Sequence, residues 1–385
     1  MDDLRVLLCT NSLVSISRNT DMRYLHRLYQ HPEYFPRVKF QISARRPYHP
    51  IDLVQTSLNV LLRKLQLERS TYDWATGGRF QYVPVVDPKR FDCILARGGQ
   101  PVSFGRLPPF IYETSFSDQT HRRQSLGPRD TEESLLRFTI ERHLSIGAKA
   151  SRIIISYKRQ VETFQQALPS LASKVRFATP FLPDSPPLDA PLVVEKQRSP
   201  FPLRLLFVGN QAVCKGLGSL YQALSRLGPE LRKKIELTVV SAFVDGEIKL
   251  PPELQQTVKF AKDLTLKQVN DLMARSSIFI LPTLKDSAGY VVLEAMAKGC
   301  VVLTTENDVR TEWLDNGRAG ITVPAEGAEK IAESLGKLIN DEGLRIQLAE
   351  ASAERYRKNY APDVAAAQYT RCMEEVAEAA RTRSR

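Results

Sequence analysis

Short apolar runs separated by amphipathic stretches recur along the whole chain. VKFQIS (38–43) reads as a strand, and LRVLLCT (4–10), FDCILAR (91–97), PFIYETS (109–115) and RIIIS (152–156) are continuous rather than alternating and include β-branched residues. Strands buried on both faces have that pattern. TDMRYLHRLYQ (20–30) and SLLRFTIERHLSIGA (134–148) carry helical spacing between them. Strand–helix alternation predicts a parallel α/β sheet.

The alternation restarts beyond residue 202 with RLLFVG (204–209), ELTVVS (236–241), TVKFAK (257–262), SIFILPT (277–283), CVVLTT (300–305) and AGITVP (319–324). Leu217, Leu220, Leu224 and Leu227 mark a helix over 217–228. Residues 328–358 form one or two amphipathic helices, and 363–380 a last one, followed by a frayed RTRSR tail. Between the halves, residues 183–202 carry six prolines, which predicts an interdomain linker rather than a helix or a central strand. The expected fold class is therefore α/β, with two doubly wound, Rossmann-like domains facing across a cleft. The domain at 1–182 is followed by the linker at 183–202, a second domain at 203–360 and a C-terminal helix in 361–385.

A length of 385 residues agrees with two domains. No apolar run approaches the roughly 18 residues of a membrane span, and the start MDDLRVLLCTNS is acidic where a signal peptide is basic. A cytoplasmic protein is expected. The five cysteines form no C-x-x-C pair, and all five histidines precede residue 144, so no zinc or redox motif stands out and no metal is expected. The net charge of +11 is uneven. Residues 1–182 carry 27 Lys and Arg against 16 Asp and Glu, whereas residues 183–385 carry 27 of each. The excess suits an anionic partner for the first half, or simply a solvated surface. No nucleic-acid motif accompanies it, and no nucleic acid is expected as a partner. Leucines interleaved with Arg63, Lys64 and Arg69 over 57–78 fit either a core-facing helix or peripheral contact with the anionic cytoplasmic face of a membrane.

Two stretches carry candidate chemistry. In LLFVGNQAVCKGLGSLYQAL a strand ends at Gly209 and a helix opens after Lys215-Gly216. Ligands of open α/β sheets sit beyond the carboxyl ends of strands, and helix N-termini suit phosphate. Gly209 is expected to make a tight turn, and Gly216 and Gly218 to allow close backbone approach. In LPTLKDSAGYVVLEAMAKGCVVLTT, Asp286 lies in a loop and Glu294 in an otherwise apolar helix that Gly299 ends. A carboxylate there faces solvent, a partner or a ligand, and its two oxygens suit a vicinal diol.

Together these stretches resemble retaining GT-B glycosyltransferases, family 4 in particular. GNQAVCKG is similar to the family's G-R-x-x-x-x-K-G segment. DSAGYVVLEAMAKGCVVLTT is similar to its E-G-F-G-x-x-x-x-E-A-M-A-x-G-x-P-V-V stretch. TENDVRTEWLDNGRAGITVP keeps a third segment in step at Glu312, Gly317 and Gly320. The resemblance covers nearly all of 203–360 and implies a nucleoside-diphosphate sugar as co-substrate, no other cofactor and no metal. It implies transfer of a hexose, with retention of configuration, to a glycan, lipid-linked or small-molecule acceptor. Lys215 would bind the diphosphate and Glu294 the ribose, and Asp286 would approach the transferred sugar. Gly209, Asn210, Gly216, Ser287, Ala288 and Gly289 would line the donor site. The tail helix would pack back toward the first domain.

Asn210 stands where the family has arginine, Asp286 where it has glutamate, and Ser287-Ala288 where it has Gly-Phe. No glycine precedes Gly77, so the family's glycine-rich loop after the first strand is absent. These departures leave a second reading open, a catalytically weak relative that binds nucleotide or glycan. In the first half, Arg97 with Gly98 and Gly99, Glu113, Asp118 and His121 lie at or beyond expected strand ends and are the acceptor-side candidates.

Overall fold

In a computed structural model of the chain, the described residues are 3–9, 27–43, 80–82, 90–97, 100–102, 107–114, 132–210, 212–241, 248–284 and 288–384. They divide into two compact units, one formed by 1–181 with 362–385 and the other by 182–361.

The first unit holds strands β1 (Leu4–Cys9), β2 (Val38–Ser43), β3 (Phe80–Tyr82), β4 (Cys93–Arg97), β5 (Gln100–Val102), β6 (Phe110–Thr114), β7 (Arg152–Ile155) and β8 (Val175–Phe177). Six of them form a parallel sheet in the order β2-β1-β4-β6-β7-β8, while β3 and β5 pair separately. Successive side chains point to opposite faces, so each continuous apolar run feeds two cores. Leu4, Val6 and Leu8 enter one core with Cys93, Leu95 and Ile111. Leu7 and Cys9 enter the other with Ile94, Tyr112 and Ile153. The first face is covered by the C-terminal helix Pro362–Ser384, which presents Ala365, Tyr369, Met373 and Val376 at helical spacing. Burying side chains the size of Met373 and Val376 contributes about 1.5–3 kcal/mol each. The second face takes Ile146 from helix Glu132–Lys149 and Phe164 from helix Lys158–Ala167. At the rim of the first face Arg152 and Arg176 both bind Glu375 of the C-terminal helix, each at 2.9 Å. The expected fraying from Arg381 is not seen. The helix runs on through Ser384, where Arg381 meets Asp92 at 3.3 Å.

The second unit holds β9 (Leu203–Val208), β10 (Ile235–Val240), β11 (Val258–Ala261), β12 (Ile278–Leu281), β13 (Val301–Thr305) and β14 (Ile321–Val323). They form one parallel sheet in the order β11-β10-β9-β12-β13-β14. Numbered within the unit this is 3-2-1-4-5-6, the Rossmann order, whose direction reverses between β9 and β12. Residues 328–358 resolve into two helices, Ala328–Asn340 and Glu342–Asn359.

The linker expected over 183–202 is instead part of the second unit. Residues Ala190–Gln197 form a helix with proline in its first turn, where the missing N–H costs nothing. Lys196, buried in its last turn, donates to Lys298 O at 2.6 Å, and Gln197 donates to Ser277 O and Gly299 O. Burial pushes the Lys196 ammonium below its usual range. Among the described residues, no helix is long and apolar enough to cross a membrane. The amphipathic stretch 57–78 lies outside them.

Candidate functional site

The reversal point of the second sheet gathers the two motif stretches. The loop 209–216 leaves the carboxyl end of β9, and the segment carrying Thr283 and Gly289 leaves that of its neighbour β12. The two are laced together, since the Leu284 N–H donates to Cys214 O at 2.9 Å and the Thr283 hydroxyl donates to the same oxygen at 3.2 Å.

The glycines of the lysine loop divide their roles in a way the motif alone does not reveal. Gly216 precedes helix Leu217–Arg226 with φ +79°, and a Cβ there would overlap the Pro282 carbonyl. Both conformation and space demand glycine. Gly209 is not among the glycines with positive φ. A Cβ on it would lie 2.8 Å from Cγ of Lys215, so its bare backbone makes room for the lysine stem. Gly218 has no neighbour within 4 Å of an added Cβ, so no close approach explains it. Lys215 itself is half-buried, Cys214 is likewise partly accessible, and Asn210 is exposed.

On the β12 side, Ala288 is buried and Gly289 takes φ +72° just ahead of helix Val291–Ala297. Tyr290 opens that helix and stacks on buried Trp313, ring centroids 6.5 Å apart at 29°. Gly299 follows the helix with φ +63°, the end expected from sequence. Every helix position from Val292 to Ala297 is buried except Glu294, which is half-buried. Glu294 is therefore the one carboxylate the helix offers to the surface. Lys298 follows four residues later on the same face and donates to Pro186 O at 2.6 Å. Burial pushes its ammonium below the usual lysine range, and the charges of Asp271 and Glu294 oppose that shift. Asp286 and Ser287 lie outside the described residues.

In the first unit, Arg97 and Glu113 are register partners on β4 and β6. The acceptor-side candidate Glu113 is only 1% exposed. Its Oε1 accepts from Arg97 at 2.9 Å and from the Tyr369 hydroxyl of the C-terminal helix at 2.7 Å. This carboxylate is engaged inside the unit rather than presented to solvent. Gly98, Gly99, Asp118 and His121 lie outside the described residues. His143 is buried, with Nδ1 donating to Thr139 O at 2.7 Å and Nε2 within hydrogen-bond distance of the Thr114 hydroxyl at 3.2 Å. Among the described residues, no three His, Cys, Asp or Glu side chains cluster so as to hold a metal ion.

An α/β chain with Rossmann strand order and a lysine–glycine loop at its reversal point has the doubly wound architecture in which ligands sit at that point. Comparison with known proteins narrows this. Residues 202–341 match the family Glycosyl transferases group 1, and the chain carries a domain of that family. Over 162 residues it is 25% identical to D-inositol 3-phosphate glycosyltransferase of Kribbella flavida, covering 39% of this chain and 38% of that one. Over 180 residues it is 30% identical to phosphatidyl-myo-inositol mannosyltransferase of Mycolicibacterium smegmatis, covering 45% of each. The matches thus span less than half the length of these curated relatives. Among solved structures, sucrose-phosphate synthase from Thermosynechococcus elongatus aligns over 98% of this chain and 100% of its own, with TM-score 0.65 and 12% identity. Anabaena Alr3699/HepE, solved with UDP and glucose, aligns over 98% and 100% with TM-score 0.60 and 13% identity. The fold is that of the GT-B proteins.

Proposed function

We propose that this chain transfers a hexosyl group from a nucleoside-diphosphate sugar to an acceptor hydroxyl, with retention of anomeric configuration. One observation carries the reading: within the family-matched segment, the Lys215 loop and the Thr283–Gly289 segment are bonded together at the carboxyl ends of β9 and β12. In an open α/β sheet that is where a ligand binds. Lys215 and the start of helix Leu217–Arg226 would neutralise the diphosphate, as positive charge and unpaired N–H groups do. Glu294 would hold the ribose diol, with Ala288, Gly289 and Ser287 beside the sugar phosphate and Asp286 toward the transferred hexose. In the transfer the C1–O bond to the phosphate breaks and the acceptor oxygen bonds C1. The acceptor proton passes to the departing phosphate oxygen. Relatives named for inositol phosphate, phosphatidyl-myo-inositol and lipopolysaccharide chemistry, together with the positive excess of residues 1–182, favour an anionic or lipid-linked acceptor.

Thermal-shift titration with UDP-, GDP-, ADP- and TDP-sugars tests the reading, since a ligand that binds the native state raises its stability. One donor should raise the midpoint and be consumed when an acceptor is supplied. Binding without turnover would favour the weak nucleotide-binding relative that Asn210 suggests. Absence of binding by every donor would overturn both.

A further inference from the structure

The donor-site reading needs Lys215 held in one place, yet the sheet ladder stops short of its loop. Between β9 and β12 the registered pairs are Ile278 with Leu205 and Phe279 with Leu206, and between β12 and β13 the last is Leu281 with Thr304. Side chains continue the connection beyond those points. Arg310, in helix Asp308–Trp313, is 2% exposed. Its Nε donates to Thr305 O at 2.8 Å and its Nη2 to Thr305 Oγ1 at 3.2 Å. That hydroxyl, itself fully buried, donates to Thr283 O at 2.6 Å. The Thr283 hydroxyl and the Leu284 N–H then both donate to Cys214 O, one residue before Lys215.

An unbroken run of hydrogen bonds therefore leads from a buried guanidinium, across the carboxyl ends of β13 and β12, into the loop after β9. Burying an arginine is costly, and an apolar side chain would fill the same space more cheaply. A charged donor strengthens the first bond, and each bond in a dry chain polarises the next. We propose that Arg310 and Thr305 are positioning residues for the phosphate-binding loop. They act through Thr283 and Cys214, and touch no ligand themselves.

The test uses the full chain and needs no ligand for its first readout. Four of the five cysteines are buried and Cys214 is not, so Cys214 alkylation by iodoacetamide reports on this loop alone. Thr305→Val removes the central hydroxyl and Thr305→Ser keeps it. Thr305→Val should speed Cys214 alkylation about fivefold, the loss of roughly one net hydrogen bond. Thr305→Ser should restore the wild-type rate, and Arg310→Met should act in the direction of Thr305→Val. In the second readout, binding of inorganic pyrophosphate should weaken in Thr305→Val by a similar factor, and that loss should vanish when Lys215 is already alanine. An unchanged Cys214 rate in Thr305→Val overturns the proposal. So does alkylation of Cys300 rising in parallel, which would mark general unfolding. If the wild type binds neither pyrophosphate nor any nucleotide sugar, the donor-site reading fails while the alkylation rates still decide the strap.

Discussion

The hydroxyl of Tyr369 donates to Oε1 of Glu113 at 2.7 Å across 256 residues of sequence. Both groups are buried, and Arg97 supplies the same oxygen with a second donor. Tyr369→Phe removes one donor from a buried carboxylate without changing the packing of the ring. The expected cost is about 1–3 kcal/mol. Urea unfolding of wild type and variant measures it, and an unchanged midpoint would show the contact to be incidental.

Glu375 gives the C-terminal helix a pH dependence. The Arg176 hydrogen bond, the largest influence, holds its carboxyl below the usual glutamate range; burial opposes it, and the Arg152 hydrogen bond and the charges of both arginines add to the lowering. A carboxylate with a lowered native pKa stabilises fully above its unfolded pKa, near 4.5, and loses that contribution as pH falls through the native value. Stability should therefore decline on acidification below about pH 4.5. In Glu375→Gln that decline should be shallower and the neutral-pH stability lower by about 1 kcal/mol or less, since the network is partly exposed. Denaturant midpoints between pH 3.5 and 7 would show whether the two curves converge in acid.

Neighbouring glycines should respond in opposite directions. Gly216→Ala imposes a left-handed backbone on alanine and drives a methyl into the Pro282 carbonyl, for an expected loss of about 1–3 kcal/mol or more. Gly218 sits in the first turn of helix Leu217–Arg226 with open space around it. Gly218→Ala should stabilise by about 0.4–1 kcal/mol, because the unfolded chain loses freedom. Thermal midpoints of the two variants test the assignment directly. Equal effects would contradict it.

Lys215 and Glu294 are assigned to different parts of the donor, and two probes separate them. Lys215→Ala should weaken both pyrophosphate and nucleoside diphosphate, by about tenfold or more for a lost charged hydrogen bond. Glu294→Gln should weaken the nucleoside diphosphate and leave pyrophosphate, which has no ribose, unaffected. Calorimetric titration with both probes distinguishes the cases. Equal losses for both probes in Glu294→Gln would move Glu294 away from the ribose.

The strands were legible because burial on both faces writes continuous apolar runs, and this chain has little else that could form them. VKFQIS, which alternates as suits a sheet edge, matches β2 residue for residue, and the continuous CVVLTT misses β13 by one. Among the three-residue strands, β14 falls inside the predicted AGITVP, but β8 was not legible, since three residues are too few for a period to show. The 183–202 segment misled because its proline content reads as a breaker, whereas Pro191 occupies the one helical turn that tolerates it. Of the candidate site residues, the lysine and the glutamate stand out in the sequence by residue type against an apolar background. Thr283, Thr305 and Arg310 did not, since a threonine at a strand end and an arginine in a short helix are ordinary in sequence. Their meaning lies in bonds between strands distant along the chain.

Helix Pro362–Ser384 belongs with residues 1–181, while 182–361 form a unit of their own. In topological terms the second unit is an insertion in a discontinuous first one, and the polypeptide passes between them twice. Removing the last 24 residues would therefore strip a core-covering element from the amino-terminal half and leave the inserted half covalently intact. Expression of 182–361 alone would isolate the unit that carries the Lys215 loop and Glu294. A stop codon at 362 would instead expose the apolar face beneath Tyr369 and Met373 and make an aggregation-prone protein out of a small terminal deletion.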